Sequence, residues 1–149
     1  MTTEDFRLSF HECRDVLAKR LAEAAPGRIQ LLAGPRQVGK TTLLLDIAEQ
    51  AGEQAVYAAA DAPEAALPGF WERIIARTEE TATAHGRAIL LLDEAHLIHG
   101  WAAQLKGVWD RFRRQRTPVH FVATGSSALH LAAGSRESLA GRFERLTLT

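Results

Sequence analysis

The sequence predicts an α/β fold built on a mostly parallel sheet, and three observations lead to it. Apolar runs of strand length alternate along the chain with segments of helical periodicity. The run at residues 88–92 is continuously apolar, as expected of a strand that helices cover on both faces. A chain of 149 residues, 46% hydrophobic and 24% charged, is long enough to bury a core and has an ordinary globular composition. We therefore expect one domain over residues 1–149, with its ligand beyond the C-terminal ends of the strands.

Each predicted element rests on its own pattern. Residues 5–24 repeat apolar side chains three or four positions apart, which predicts an amphipathic helix that Pro26 and Gly27 end. Five strands are predicted at the apolar runs 29–33, 55–60, 88–92, 119–123 and 143–148. Further helices are predicted at 40–50 with Gly52 as cap, between Phe70 and Gly86, between Trp101 and Pro118, and briefly at 128–132. Strands separated by helices in this way form βαβ units.

The strongest motif is a phosphate-binding loop. Residues 34–41 read GPRQVGKT and match the pattern G-x-x-x-x-G-K-[ST] between a predicted strand and a predicted helix. Backbone N–H groups of residues 36–41 would surround phosphate oxygens, and the helix N-terminus would add the positive end of its dipole. Lys40 would reach the β- and γ-phosphates, and the Thr41 hydroxyl would hold Mg²⁺. The predicted nucleotide site comprises Gly34, Pro35, Arg36, Gln37, Val38, Gly39, Lys40, Thr41 and Thr42, with the side chains of Arg36 and Gln37 pointing outward.

Two carboxylates end the apolar run at 88–92. Asp93 would hold Mg²⁺, and Glu94 would orient and deprotonate the attacking water, because hydrolysis needs a base near the γ-phosphate. An acid-tipped strand is weak evidence alone, but downstream of a P-loop it predicts a Walker B site. Residues 93–96 also spell the DEAH box of helicases, which we disfavour because such helicases need two tandem P-loop-like domains. His96 and His99 form H-x-x-H without a third metal-type ligand nearby, so we predict no separate metal site there.

Hydroxyl side chains follow the apolar run at 119–123, and arginines precede the last run. Thr124 and Ser126 would lie near a γ-phosphate and could sense hydrolysis; capping of the next helix is the alternative. Arg142 is favoured over Arg136 as an arginine that faces a neighbouring subunit's nucleotide, and a solvated surface arginine is the alternative. The predicted catalytic set is thus Lys40, Glu94, Thr124, Ser126 and Arg142, and the predicted metal ligands are Thr41 and Asp93.

Composition narrows the class of partner. The 18 basic and 18 acidic side chains balance, so no bulk field favours nucleic acid or an anionic membrane. A local basic run could bind nucleic acid, although a solvated helix end is favoured: Arg111, Arg113, Arg114 and Arg116. The single cysteine, Cys13, excludes an internal disulfide and suits a buried thiol in a reducing cytoplasm. A polar, acidic N-terminus and the lack of an apolar run of about 20 residues favour a cytoplasmic protein without a membrane segment.

In this order, the motifs resemble those of the AAA+ superfamily of P-loop ATPases. More narrowly, the chain resembles a largely uncharacterised bacterial and archaeal AAA group in its motifs at residues 34–42, 92–94, 101–106, 124–127 and 138–142. Members of that group usually carry a further C-terminal region, often a domain of unknown function. The resemblance covers nearly the whole chain from Ile29 onward. It implies a P-loop NTPase three-layer α/β/α sandwich with strand order 5-1-4-3-2, ATP and Mg²⁺ as ligands, and ATPase activity in a homo-oligomer with an arginine finger in trans.

One part of the AAA+ pattern is missing, namely the helical lid that normally follows the core. We expect a truncated piece or a minimal core with weak nucleotide affinity and slow turnover, because lids exclude water and complete such sites. A second hypothesis is a nucleotide-dependent switch or interaction module with its output in a C-terminal region. A third is a motor on DNA or RNA, which the zero net charge disfavours. No motif selects guanine, so adenine is the default base.

Overall fold

One sheet of six parallel strands organises the part of the chain that the computed structural model describes, residues 6–25, 27–35, 39–125 and 142–148. Every neighbouring pair of strands in this sheet is parallel, and the order across it is β1-β6-β2-β5-β4-β3. The strands are β1 (Phe6–Leu8), β2 (Ile29–Ala33), β3 (Ala55–Ala59), β4 (Ala88–Asp93), β5 (Val119–Gly125) and β6 (Phe143–Leu148).

Four α-helices connect these strands in the described residues: α1 (Phe10–Leu21), α2 (Lys40–Ala51), α3 (Phe70–His85) and α4 (Trp101–Gln115). Short 3₁₀ turns occupy Gly52–Gln54, Pro63–Ala66 and Ala95–Leu97. Gly52 and Gly86 end α2 and α3 with positive φ angles, as their positions in the sequence predict. None of the described helices combines the length and the apolar character that crossing a membrane requires.

The N-terminal segment differs from the predicted helix over 5–24. Helix α1 begins only at Phe10, because Ser9 and Glu12 form a reciprocal capping box in which each side chain accepts a hydrogen bond from the other's backbone N–H. The residues before Ser9 are extended instead and pair with β6 in the register Phe6↔Leu146 to Leu8↔Leu148. They add a sixth strand to the edge of the sheet, where β6 would otherwise leave its backbone groups unpaired.

The five predicted strands and their order are confirmed: counted without β1, the observed order is the expected 5-1-4-3-2. The short helix predicted at 128–132 lies outside the described residues. Both faces of the sheet are covered, so the fold has three layers. One core cluster joins α3 and α4 to the sheet, and a second joins α1 and α2 to its other face.

The two cores explain why the central strands are apolar throughout. Every residue of β2, β4 and β5 is buried, since successive side chains point into opposite clusters. Cys13 lies fully buried in the α1 and α2 layer, as its helical neighbours predict. Burial raises the pKa of its thiol to about 11.

Candidate functional site

The sheet order brings three strand ends of different motifs together. Strand β5 lies between β2, which leads into the P-loop, and β4, which carries the two acids. The registers Leu32↔Thr124 and Leu92↔Ala123 set Thr124 of β5 beside both neighbouring strands at this edge. Because all strands are parallel, their C-terminal ends form one site, as the alternating pattern predicts.

The described part of the P-loop prepares a helix N-terminus for an anion. Gly39 is the N-cap of α2 and has φ +97°, and it supplies no side chain to cap the helix. A Cβ at this position would lie 3.2 Å from Cδ2 of Phe10 and the backbone angle would be strained, so glycine is required here. Helix α2 thus points an uncapped, positive end at the cleft. Arg36, Gln37 and Val38 lie outside the described residues.

The ammonium of Lys40 is turned back into the loop. Its Nζ donates hydrogen bonds to the carbonyl oxygen of Gly34 and, at 3.0 Å, to that of Pro35. Lys40 is only 7% exposed, so its charge is held by these carbonyls rather than by water. A phosphate in the loop would offer the ammonium a full negative charge in place of two neutral oxygens.

Asp93 is the centre of the site's hydrogen bonding. Thr41 Oγ1 donates to its Oδ2 at 2.7 Å, and Thr124 Oγ1 donates to its Oδ1. A third hydroxyl, Tyr57 Oη of β3, also donates to Oδ2 at 2.9 Å. Asp93 is only 3% exposed, and the three hydroxyls supply the donors that a buried carboxylate needs.

Tyr57 was not among the predicted site residues. It stands in an ordinary apolar run, and only the pairing of β3 with β4 brings its hydroxyl to Asp93. Burial, and then the hydrogen bond and charge of Asp93, raise the pKa of the Tyr57 phenol. The phenol therefore keeps its proton and acts as a donor. No local sequence signal could have identified it, because strand order is a property of the whole fold.

Glu94 adopts a conformation that is uncommon for its residue type. Its φ of 55° and ψ of 42° lie in the left-handed region, where a residue with a Cβ is strained. Its N–H donates to Thr124 Oγ1 at 3.2 Å, and its Oε2 lies 3.5 Å from Nε2 of His96. The Nδ1 atom of His96 is buried without a hydrogen-bond partner among the described residues. The strained turn projects both side chains into the cleft.

Glu94 and His96, together with the start of α2, border an open cleft of about 550 Å³. Its lining residues are Gly39, Lys40, Thr41, Thr42, Asp61, Glu94, His96 and Leu97. The donors fit the groups that the motifs imply: a helix N-terminus and an ammonium suit phosphate, and a hydroxyl beside a carboxylate offers the oxygen ligands that Mg²⁺ prefers.

The remaining predicted residues separate from this cluster. Ser126 and Arg136 lie outside the described residues. The Arg142 carbonyl accepts from the N–H of Ile29, the first residue of β2. Arg142 therefore lies at the N-terminal ends of the strands, and the cleft lies at their C-terminal ends. Its guanidinium pairs with Asp110, with Nε 2.9 Å from Oδ1, and contacts the ring of Trp109. The five residues of β2 span about 16 Å, so Arg142, at the start of this strand, does not reach the cleft of its own chain.

Comparison with known proteins agrees with this architecture. A family model described as "AAA domain" matches residues 26–149. A katanin structure from work on its self-assembly superposes with a TM-score of 0.62 at 21% identity, over 92% of this chain and 49% of that one. A RuvB variant from Thermotoga maritima superposes with a TM-score of 0.60 at 22% identity, over 93% and 44%. The Orc1 protein of Aeropyrum pernix, solved in complex with DNA, gives 0.57 at 18% identity, over 93% and 43%.

At these identities the structural matches show the fold alone. The chain spans less than half the length of each of the three structures. No curated protein matches the chain.

Proposed function

We propose that this chain, which belongs to the AAA domain family within the AAA+ superfamily of P-loop ATPases, binds ATP with Mg²⁺ and hydrolyses it to ADP and phosphate. The observation that carries the proposal is the hydrogen bond from Thr41 to Asp93. It joins the hydroxyl after the P-loop lysine to the acid at the end of β4. These are the two oxygen ligands through which P-loop ATPases hold the ion on the nucleotide.

Binding begins with the phosphates at the N-terminus of α2. The backbone N–H groups of the first turn and the ammonium of Lys40 hold the negative charge, and Thr42 contacts the α-phosphate. Lys40 exchanges its bonds to Gly34 and Pro35 for phosphate oxygens. Because Lys40 already lies at the loop, this exchange needs a side-chain movement and no rearrangement of the sheet.

Thr41 and Asp93, which share a hydrogen bond, would hold Mg²⁺. When bound, Mg²⁺ offsets the charge that develops on the β- and γ-phosphates. The chain's own contribution is to orient the nearly buried side chain of Asp93, which the surrounding hydroxyls do.

Glu94 acts as the base that orients and deprotonates the attacking water. It borders the cleft, and its Oε2 lies 3.5 Å from Nε2 of His96. Thr124, at the C-terminal end of β5, and Ser126 sense whether the γ-phosphate is present. Arg142 serves the nucleotide of a neighbouring copy in a homo-oligomer, and sedimentation velocity with and without ATP and Mg²⁺ tests whether such an oligomer forms.

Binding is tested by calorimetry with ATP and Mg²⁺ on the parent chain and on two lysine variants. Lys40→Ala should abolish binding, because it removes the ammonium at the loop. Lys106→Ala, a lysine of α4 that does not line the cleft, is the matched control and should bind like the parent. Binding by Lys40→Ala with the parent affinity would refute the site.

Hydrolysis is tested by phosphate release. Glu94→Gln should retain ATP binding and lose hydrolysis, because the amide cannot take the proton of the water. Asp61→Asn removes the other carboxylate that lines the cleft and should hydrolyse like the parent. The reverse pattern would transfer the role of the base to Asp61. A parent chain that retains nucleotide but releases phosphate at or below about 10⁻⁴ per second, the intrinsic rate of small GTPases, would favour the switch.

A further inference from the structure

Tyr57 holds an unusual place beside the proposed ion site. It is the only tyrosine of the 149 residues and belongs to none of the motifs that predict nucleotide binding. Its hydroxyl donates to Asp93 Oδ2 at 2.9 Å, the oxygen that also accepts from Thr41 at 2.7 Å. Tyr57 and Thr41 therefore share one carboxylate oxygen and approach it from β3 and α2.

The three donors on Asp93 do not have equal freedom. Thr41 is proposed to contact the ion, and Thr124 also accepts a hydrogen bond from the N–H of Glu94. Thr124 thus has a second partner already, and Thr41 would gain one in the ion. The Tyr57 hydroxyl has Asp93 as its partner and sits on a rigid ring with two rotatable bonds, so it fixes a direction that a threonine rotor does not.

Strand β3 also holds the backbone of Asp93. Ala59 is the register partner of Asp93, and the N–H of Ala60 donates to the Asp93 carbonyl oxygen at 2.9 Å. The same strand therefore fixes both the main chain and the side chain of this acid. A carboxylate that is held at both ends has little freedom to rotate away from a ligand.

We propose that Tyr57 is a positioning residue that orients Asp93 for the magnesium of a bound nucleotide, an inference that rests on the proposed function. The alternative is a half-buried phenol that only satisfies its own hydrogen bond. The two differ in one measurable quantity: a positioning residue changes the Mg²⁺ dependence of nucleotide binding, and a merely structural one does not.

The experiment uses the full chain and the variant Tyr57→Phe, which removes only the hydroxyl. Binding of a fluorescent, non-hydrolysable ATP analogue is measured in EDTA and then over a MgCl₂ titration. We expect equal affinity in EDTA and a Mg²⁺ midpoint raised about 10-fold, the lower end of the 10–100-fold losses found when partners of metal ligands are removed. The lower end applies because two hydroxyls remain on Asp93.

A matched control removes a buried hydroxyl elsewhere. Thr78 is fully buried in α3, and its Oγ1 donates to the carbonyl oxygen of Ile74 at 2.8 Å. Thr78→Val should leave the Mg²⁺ midpoint at the parent value even if it lowers the melting temperature. A midpoint raised equally in Thr78→Val and Tyr57→Phe would mean that stability alone moves it, and would overturn the proposal.

The outcomes separate this inference from the function beneath it. A parent chain without Mg²⁺-dependent nucleotide binding refutes both. A parent that binds normally, with Tyr57→Phe within twofold of its midpoint, refutes the role of Tyr57 alone. Weakening by the same factor in EDTA and in Mg²⁺ also refutes it, because Tyr57 would then shape the pocket rather than the ion site.

A second measurement does not use the Tyr57→Phe variant. Because the chain has one tyrosine, incorporated 3-fluorotyrosine gives a single ¹⁹F resonance. Addition of Mg²⁺ to the nucleotide complex should shift this resonance in the parent and leave it nearly unmoved in Asp93→Asn. A parent resonance that ignores Mg²⁺ would overturn the proposal.

Discussion

Removal of the Thr124 hydroxyl should destabilise the folded chain more than an ordinary substitution of similar size. This hydroxyl donates to Asp93 Oδ1 and accepts from the N–H of Glu94 at 3.2 Å, and Thr124 is fully buried. Valine keeps the shape of threonine and replaces the hydroxyl by a methyl group. Thr124→Val therefore leaves a buried carboxylate oxygen and a backbone N–H without this partner.

The magnitude follows from the two lost bonds. A hydrogen bond to a charged group contributes about 1.5–3 kcal/mol, and an unsatisfied buried donor costs about 1–3 kcal/mol. The bond to Glu94 is long, so its loss belongs at the lower end of that range. The new buried methyl group returns about 0.8 kcal/mol. We expect a net loss of about 2–3 kcal/mol in the free energy of unfolding, a large part of the 5–15 kcal/mol typical of a domain.

Urea denaturation followed by tryptophan fluorescence measures this loss. With a slope of about 2 kcal/mol per molar urea, the midpoint should fall by about 1–1.5 M. Thr124→Ser keeps the hydroxyl and should lose clearly less. If valine unfolds within about 0.5 kcal/mol of the parent, or serine loses as much as valine, the hydroxyl does not hold the site together.

Three further predictions concern the surroundings of the site. Gly39→Ala should lower the free energy of unfolding by about 1–2 kcal/mol and lose nucleotide binding, because φ at this position is +97° and the added Cβ would press on Phe10. The control Gly107→Ala in α4, with open space around it, should leave the stability unchanged or raise it. Urea denaturation and calorimetry measure the two effects. Cys13 should resist a thiol reagent at pH 8 until urea unfolds the chain, and rapid labelling of the folded chain would contradict its burial. Because burial raises the pKa of its thiol from 9.0 to about 11, the contribution of Cys13 to stability should be complete below pH 9.0 and should be lost as the pH rises toward about 11. Burial lowers the pKa of His120, so on acidification the unfolded chain binds a proton that the folded chain does not, and the free energy of unfolding should fall as the pH drops below 6.5. His120→Gln should flatten this pH dependence between about pH 7.5 and 5.5. An unchanged slope would mean that other groups cause the pH dependence.

The N-terminal segment shows where local pattern reached its limit. Apolar spacing extended the first helix back to residue 5, but the capping box at Ser9 starts it at Phe10. The Ser9-x-x-Glu12 pattern is a local signal of that helix start, whereas the pairing of Phe6–Leu8 as an edge strand depends on β6 lying beside it.

By itself, the sequence determined the five-strand alternation, the P-loop before α2 and the acids after β4, because each is a local pattern of apolar period, glycine and charge. The tertiary structure decided which hydroxyls meet at Asp93: Thr124 through the position of β5, and Tyr57 through the pairing of β3 with β4. It also decided that Arg142 lies at the N-terminal ends of the strands, away from the cleft and beside Asp110. These are contacts between residues far apart in the chain, and strand order, which depends on the packing of all layers together, brings them into reach.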